Sequence, residues 1–248
     1  MARVLVLGGT RFLGPPAVRW LLEAGHNVTL FHRGGAEPEA VAGAAHIHGD
    51  FGAITDYLPR LRRLRPDVVL DVVPYIDKAG HGVSHFAGVA GRAVVVTSLD
   101  VYRAFAVAWG REGRGVEDTP LTEESPLRSG RSPDLTSDID FDNLEVERGL
   151  LGRAELPVTV LRLPMIYGPG DPMHRLFHYI RRMDDGRPAI VLDEARASLR
   201  WSRGYVENVA AAVGLAVVDP RSSGLAQGRF KGKRDAAVWV SHFGGPTG

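Results

Sequence analysis

The chain has 248 residues, 44% hydrophobic and 24% charged, which is typical of globular proteins and excludes a disordered or fibrous chain. Its 30 Lys and Arg residues against 29 Asp and Glu give a net charge of +1, so no overall charge attracts nucleic acid. The absence of cysteine excludes disulfides, thiolate metal sites and a cysteine nucleophile.

No apolar run approaches the ~18 residues that a membrane span needs. The apolar run before the first glycines is also too short for a signal peptide. We therefore expect a soluble, cytoplasmic protein with no membrane partner.

Short runs rich in β-branched residues alternate with longer amphipathic stretches. The predicted strands are Val4–Leu7, Val28–Phe31, His46–His48, Val68–Val73, Val94–Thr97 and Val158–Leu163. The predicted helices are Ala17–Ala24, Tyr57–Leu64, Ser84–Ala90, Asp142–Leu151, Met173–Met183 and Tyr205–Val218. Repeated strand–helix units indicate an α/β fold with a Rossmann-type, doubly wound parallel sheet.

Two segments interrupt this alternation. Residues 111–137 are dense in Gly, Pro, Ser and charge, which predicts a long loop at the strand ends. Beyond Asp219 the chain has six glycines, a basic cluster and one strand-like piece, Ala236–Val240.

The first predicted strand runs into a glycine-rich loop, GGTRFLG at residues 8–14, and a predicted helix follows. Glycine allows a sharp turn and a close approach of the backbone to a pyrophosphate. The free amides and the dipole at the start of the helix then bind the anion. This strand–loop–helix context predicts a dinucleotide site.

Further motifs accompany the loop. They are HGD at His48–Asp50, VVVTSLDVY at Val94–Tyr102, PLTEESPLR at Pro120–Arg128, LRLPMIYGPGD at Leu161–Asp171 and RWSRGYVENVAAAV at Arg200–Val213. Together they resemble the extended short-chain dehydrogenase/reductase family of the NAD-dependent epimerase/dehydratase type. The loop resembles the subgroup that has arginine in place of the middle glycine. The resemblance covers roughly residues 2–218.

The resemblance implies a set of cofactor contacts. The pyrophosphate would be held by Gly8, Thr10, Arg11, Phe12, Leu13 and Gly14, the adenine would lie against Asp50, and the remaining contacts would be Val73, Pro74, Thr97, Asn143 and Pro164. An acidic residue at the end of the second strand would bond the ribose 2′-hydroxyl, but this chain has His32 and Arg33 there. A cation suits a 2′-phosphate, so we predict NADP over NAD, with a solvated surface charge as the alternative role of Arg33.

The catalytic positions of the family are only partly present. Ser98 matches the family's serine, and Asp100 falls where dehydratases of the family carry an acidic residue. The family's Tyr and Lys align with Ile139 and Asn143. No Tyr-x-x-x-Lys occurs in the chain, whose only lysines are Lys78, Lys231 and Lys233.

Several alternatives stay open. The protein could bind the cofactor without turnover, as a sensor or scaffold. It could use another base, with Asp100, Asp138 and Asp140 as candidates, or it could use Tyr75 and Lys78 from the loop after the fourth strand. The glycine loop also resembles that of chloroplast RNA-binding relatives, although only a patch around Arg60–Arg65 would support RNA binding.

We expect an NAD(P)-dependent epimerase, dehydratase or reductase-like protein acting on a sugar nucleotide or small carbonyl compound. Arg200 and Arg203 match positions that contact substrate phosphate in nucleotide-sugar enzymes. The expected domains are residues 1–163, which bind the dinucleotide, and 164–248, a short substrate lobe whose completeness the sequence leaves open. The helix at 206–218 is expected to pack back on the first domain.

The remaining expectations concern partners and metals. We expect a small-molecule substrate and no nucleic-acid partner, and a homodimer is the assembly considered. No metal site is expected, because His174 and His178 are one helical turn apart without a third ligand in sight.

Overall fold

A computed structural model describes residues 1–35, 37–72, 76–77, 80–113, 121–130, 142–151, 155–192, 194, 202–219 and 236–240. The strands are β1 (Arg3–Leu7), β2 (Asn27–His32), β3 (Ala45–His48), β4 (Val68–Asp71), β5 (Ile76–Asp77), β6 (Gly80–His81), β7 (Arg92–Ser98), β8 (Val158–Leu163), β9 (Met165–Tyr167), β10 (Arg203–Tyr205) and β11 (Ala236–Val240). The helices are α1 (Gly14–Glu23), α2 (Ile54–Arg63), α3 (Arg103–Ala108), α4 (Asn143–Leu151), α5 (Phe177–Asp184) and α6 (Val206–Val218).

Seven parallel strands form the central sheet, in the order β3-β2-β1-β4-β7-β8-β11. When only the strands of this sheet are counted along the chain, the first six have the order 3-2-1-4-5-6 of a doubly wound Rossmann-type sheet, as the sequence predicts. β4 and β8 are buried at every position, which explains why their sequences, VVLD and VTVLRL, are apolar at most positions. Because all seven strands run the same way, their carboxyl ends share one edge of the sheet.

Helices cover both faces of the sheet. Val4 and Val6 of β1 point into a core that contains residues of α1 and α6, whereas Leu5 and Leu7 point into a core that contains residues of α2 and α4. This alternation along one strand is the signature of a sheet that is buried on both sides.

Helix α6 packs beside α1. A Cβ on Gly214 would lie 2.2 Å from Trp20 Cε3, so the two helices touch where a larger residue has no room. At the edge of this contact, Arg19 Nη2 lies 2.6 Å from Glu207 Oε2. The side chain of Arg92 donates to the backbone carbonyls of Ala216, at 2.9 Å, and Val217 near the end of α6.

Several local predictions are wrong. Ser84–Ala90 is not an α-helix: the chain forms a 3₁₀-helix over Gly82–Phe86, and Gly88, at φ +72°, cannot continue it. The helix predicted from Met173 begins at Phe177 instead. His174 adopts φ +48°, and the carboxylate of Asp171 accepts the backbone N–H groups of Met173 and Arg175, so a capped turn precedes the helix.

Some short helices and strands are not predicted by the sequence. The short helix α3 and the parallel pair β9–β10 lie in segments without a clear period. Ala236–Val240, by contrast, is strand β11 and pairs with β8. Among the described residues, no helix is long and apolar enough to cross a membrane.

Candidate functional site

The glycine loop joins the carboxyl end of β1 to α1 in a geometry that requires glycine. Gly8 and Gly9 adopt φ +92° and +90°. A Cβ on Gly14 would lie 2.4 Å from the carbonyl carbon of Gly9, a contact that backbone atoms cannot relieve. The loop can therefore fold back on itself only with glycine at these positions.

The loop exposes backbone N–H groups at the start of α1. Phe12, at φ +45°, is one of three described non-glycine residues in the left-handed region, and it turns the backbone before the helix. Gly14 N–H donates to Arg11 at 2.9 Å, while the amides of Arg11, Phe12 and Leu13 donate to no other described residue. Free amides at the amino end of a helix form an anion site.

Two predicted cofactor contacts lie along the same edge of the sheet. Arg33 directly follows β2 and is exposed. Asp50 follows β3, and its carboxylate accepts the N–H of Gly52 at 2.7 Å, which starts the short 3₁₀ turn 51–53. Since β1, β2 and β3 are neighbours in the sheet, the loop, Arg33 and Asp50 lie on one side of the carboxyl edge.

The second half of the site surrounds Asp100, just beyond the end of β7. The Oγ of Ser98 accepts the backbone N–H of Asp100 at 3.3 Å. The amide Nδ2 of Asn143 donates to both carboxylate oxygens of Asp100, at 3.0 and 3.2 Å. Burial raises the pKa of Asp100 from 3.8 to about 6, against the opposing influence of Arg128 and of the Asn143 hydrogen bond.

Arg128 fixes the backbone beneath Asp100. Its Nε donates to the carbonyl of Asp100 at 3.0 Å, and its Nη2 forms a buried ion pair with Asp142 at 2.7 Å. Asp142 also accepts the N–H groups of Leu144 and Glu145, so it caps α4. The Asp142 carboxylate thus holds both α4, which carries Asn143, and the guanidinium of Arg128, which bonds the Asp100 carbonyl.

A second buried ion pair supports the same region from inside the sheet. Arg162 of β8 is fully buried, and it contacts Glu147 of α4 through two nitrogens, at 2.7 to 3.1 Å. Thr97 donates to Glu147 at 2.8 Å, and the Tyr102 hydroxyl accepts from Arg162 at 2.9 Å. Burial raises the pKa of Tyr102. Tyr102 is thus buried and hydrogen-bonded to Arg162, and it does not replace the catalytic tyrosine of the family that the chain resembles.

Other predicted site residues are spread more widely. Pro164 is buried directly after β8, and a Cβ on Gly204 would lie 3.3 Å from it. Arg203, in β10, is exposed, and its guanidinium lies 2.7 Å from the sulfur of Met165. Several candidates lie outside the described residues: Val73, Pro74, Tyr75, Lys78, Asp138, Ile139, Asp140 and Arg200.

The residues that support Asp100 are not identifiable as site residues from the sequence. Arg128, Asp142 and Glu147 lie in polar segments, where nothing distinguishes them from solvated charges. Arg162 is distinguishable in the sequence, because it is the only arginine or lysine inside a predicted strand. A buried guanidinium needs a carboxylate partner, so this arginine predicts a buried acid nearby.

Comparison with known proteins finds one family model and two relatives with similar sequences. A model of the NAD dependent epimerase/dehydratase family matches residues 149–227. A 2-alkyl-3-oxoalkanoate reductase of Stenotrophomonas maltophilia is 26% identical over 86% of this chain, which spans 64% of the relative's length. A 3-diazoavenalumate denitrifying reductase of a Streptomyces species is 29% identical over 97% of this chain and 80% of the relative.

Solved structures share the fold. The Bordetella bronchiseptica enzyme WbmG, in complex with NAD, superimposes with a TM-score of 0.62 at 17% identity, over 97% of this chain and 72% of WbmG. The same enzyme has also been solved with NAD and UDP, and there the TM-score is 0.61 at 16% identity, over 89% and 70% of the two chains. These structures show the Rossmann-type fold, and the family model and the two reductases support the resemblance to NAD-dependent epimerases and reductases. The subgroup with arginine in its glycine loop remains a prediction from the sequence.

Proposed function

We propose that this protein is an NADP-dependent reductase- or epimerase-like enzyme that binds the dinucleotide across the carboxyl edge of its sheet. The observation that carries the proposal is the loop between β1 and α1, where Gly9 and Gly14 meet too closely for a side chain. The three unbonded amides of the loop are suited to a pyrophosphate. The NAD held by WbmG, which shares this fold, supports the assignment.

NADP preference rests on the charge at the end of β2. Arg33 is exposed there, and neither His32, which ends the strand, nor Arg33 offers a carboxylate to a ribose 2′-hydroxyl. A guanidinium matches a 2′-phosphate with charge and with paired N–H donors. Arg11, exposed in the loop after β1, would supply a second cation.

Asp100 is proposed as the acid/base group. When bound, NADPH supplies the hydride for reduction of a carbonyl carbon. Protonated Asp100 would donate its proton to the carbonyl oxygen, which becomes a hydroxyl group as the hydride adds. The Ser98 hydroxyl, whose oxygen already accepts the Asp100 N–H, would donate a hydrogen bond to the same oxygen and keep its proton. Asn143 would keep the carboxyl group oriented.

The substrate is proposed to be a small carbonyl compound or a sugar nucleotide. Both curated relatives are reductases, which favours the carbonyl compound, and the UDP held by WbmG supports the nucleotide. A panel of 3-oxoacids, aldehydes and UDP-sugars would distinguish the two classes.

Cofactor binding is tested by calorimetric titration with NADPH and NADH. Arg33→Asp should weaken NADPH binding by at least about tenfold, because only NADPH carries the 2′-phosphate, and it should not weaken NADH binding, whose ribose 2′-hydroxyl a carboxylate can bond. Arg60→Asp makes the same charge change at an exposed position in the second half of α2, and it should alter neither affinity. If the wild-type protein binds neither cofactor, or the two variants behave alike, the proposal fails.

Catalysis is tested by transfer of deuterium from labelled NADPH to the substrate panel. Asp100→Asn should bind NADPH normally yet transfer label at least about 100-fold more slowly. The wild-type rate should fall as the pH rises above about 6, since the acid must be protonated. Asp56→Asn, at an exposed position of α2, is the matched control. NADPH binding without transfer to any compound would instead support a catalytically silent sensor or scaffold.

A further inference from the structure

Three histidines meet on one face of the sheet at its β3 edge. His46 and His48 are two residues apart on β3, so their side chains point to the same face. His32 pairs directly with His48 across the β2–β3 ladder. The ring of His32 has its centre 5.0 Å from the ring centres of both His46 and His48. Strand register, rather than loop conformation, sets this arrangement.

Glu37, from the segment after β2, completes the group. Its Oε1 lies 2.6 Å from His48 Nε2, 3.6 Å from His32 Nε2 and 3.7 Å from His46 Nδ1. His32 Nε2 and His46 Nδ1 are 2.8 Å apart. One ligand atom from each of the four residues lies within 4.8 Å of the other three.

These separations suit one tetrahedral ion. Zinc bonds to imidazole nitrogen and carboxylate oxygen are about 2.0–2.2 Å long, which places the ligand atoms about 3.3–3.6 Å apart. Four of the six separations among the ligand atoms, 2.6 to 3.7 Å, lie on either side of that range, and none of the six exceeds 4.8 Å, so small side-chain shifts would place all four around one ion. We propose that His32, Glu37, His46 and His48 form a binding site for a divalent transition metal of the zinc class.

The surroundings of His46 favour its ligand form. The His46 Nε2 lies 3.3 Å from the carbonyl of Val41, which fixes the proton on Nε2 and leaves Nδ1 for a metal. A backbone acceptor on the far nitrogen is the usual support of a metal-binding histidine.

Binding has one local requirement, at His32. Its Nδ1 accepts the N–H of Gly34 at 3.1 Å, so the ring proton is on Nε2. When a metal takes Nε2, that proton moves to Nδ1 and the Gly34 amide must turn away. Gly34, at φ +81°, and the adjacent Gly35 give the backbone the freedom to do so.

Four protein ligands would fill a tetrahedral shell, which is the arrangement of a structural site rather than a catalytic one. The ion would join the segment after β2 to the edge strand β3. Its ligands are not among the proposed cofactor contacts, although His32 directly precedes Arg33 and His48 lies two residues before Asp50. Metal binding is measured without cofactor or substrate, so its failure is distinguishable from that of the proposed function.

The test is a titration of the full chain, free of any histidine tag, with Zn²⁺ in competition with a chromophoric chelator. The wild-type protein should bind one equivalent with a Kd below about 1 μM, and His48→Ala should weaken binding at least about 100-fold. His48 has 58% of its side chain exposed, so its removal leaves the fold intact. The double variant His174→Ala/His178→Ala removes a histidine pair elsewhere and should bind like the wild type.

Two further measurements test the coordination geometry of the metal site and its effect on the stability of the protein. Co²⁺ should give the intense visible absorption of tetrahedral coordination. Zn²⁺ at about 100 times its Kd should raise the Tm of the wild-type protein by about 5–10 °C but not that of His48→Ala. A Kd above about 100 μM, an octahedral Co²⁺ spectrum, or equal loss in the control variant would overturn the proposal.

Discussion

Replacing the Asp100 carboxylate tests the proposed acid/base site through stability. The pKa of Asp100 is raised from 3.8 to about 6, mainly by burial. Each pKa unit corresponds to about 1.4 kcal/mol, so the ionised group costs the folded state up to about 3 kcal/mol at neutral pH. Asp100 retains some solvent contact, which reduces this to about 2–3 kcal/mol. Asp100→Asn removes the charge but keeps an oxygen for Asn143 to donate to.

The direction of the pH dependence follows from the raised pKa. Between about pH 4 and 6 the folded protein holds the Asp100 proton more tightly than the unfolded chain, so wild-type stability falls as the pH rises through this range. Asp100→Asn lacks this loss. The variant should be more stable than the wild type by about 2–3 kcal/mol at pH 8, by less than half of that at pH 4.5, and by almost nothing near pH 3.5.

Urea unfolding followed by circular dichroism, at several pH values, measures this difference. Comparing the variant with the wild type at each pH cancels the titration of the groups they share. Asp56→Asn, at an exposed position in the first turn of α2, should not stabilise the protein at any pH and should cost at most about 1 kcal/mol at pH 8, where the carboxylate faces the helix dipole. An Asp100→Asn protein that is less stable than the wild type at pH 8, or a difference that does not vary with pH, would refute the reasoning.

Three further substitutions test the support of the site and the packing of α6. Glu147→Ala should cost about 3–5 kcal/mol in urea unfolding, because it leaves the fully buried Arg162 without its carboxylate. Tyr102→Phe should cost only about 1–3 kcal/mol, since it removes one acceptor of Arg162, and calorimetry should show unchanged NADPH binding. Gly214→Ala should cost about 1–3 kcal/mol in urea unfolding because its Cβ would displace Trp20, and a stabilised variant would contradict the tight contact between α1 and α6.

The sequence determined the architecture because its signals are local. Runs such as Val158–Leu163 are apolar at most positions, and a strand buried on both faces needs that pattern. The glycine loop was also predictable, since the Gly9–Gly14 contact and the positive φ values exclude other residues. Predictions failed where a single residue overrode the pattern, as Gly88 does after the 3₁₀-helix and Asp171 before α5.

Only the tertiary structure decided which polar groups meet. Asp100 and Asn143 are 43 residues apart, and the raised pKa of the acid depends on burial that no local pattern encodes. Likewise His32 and His48 come from different strands, and they face each other only because β2 and β3 pair in one register. Secondary structure follows from neighbours in the chain, whereas the chemistry of a site follows from distances and burial that the packed sheet alone fixes.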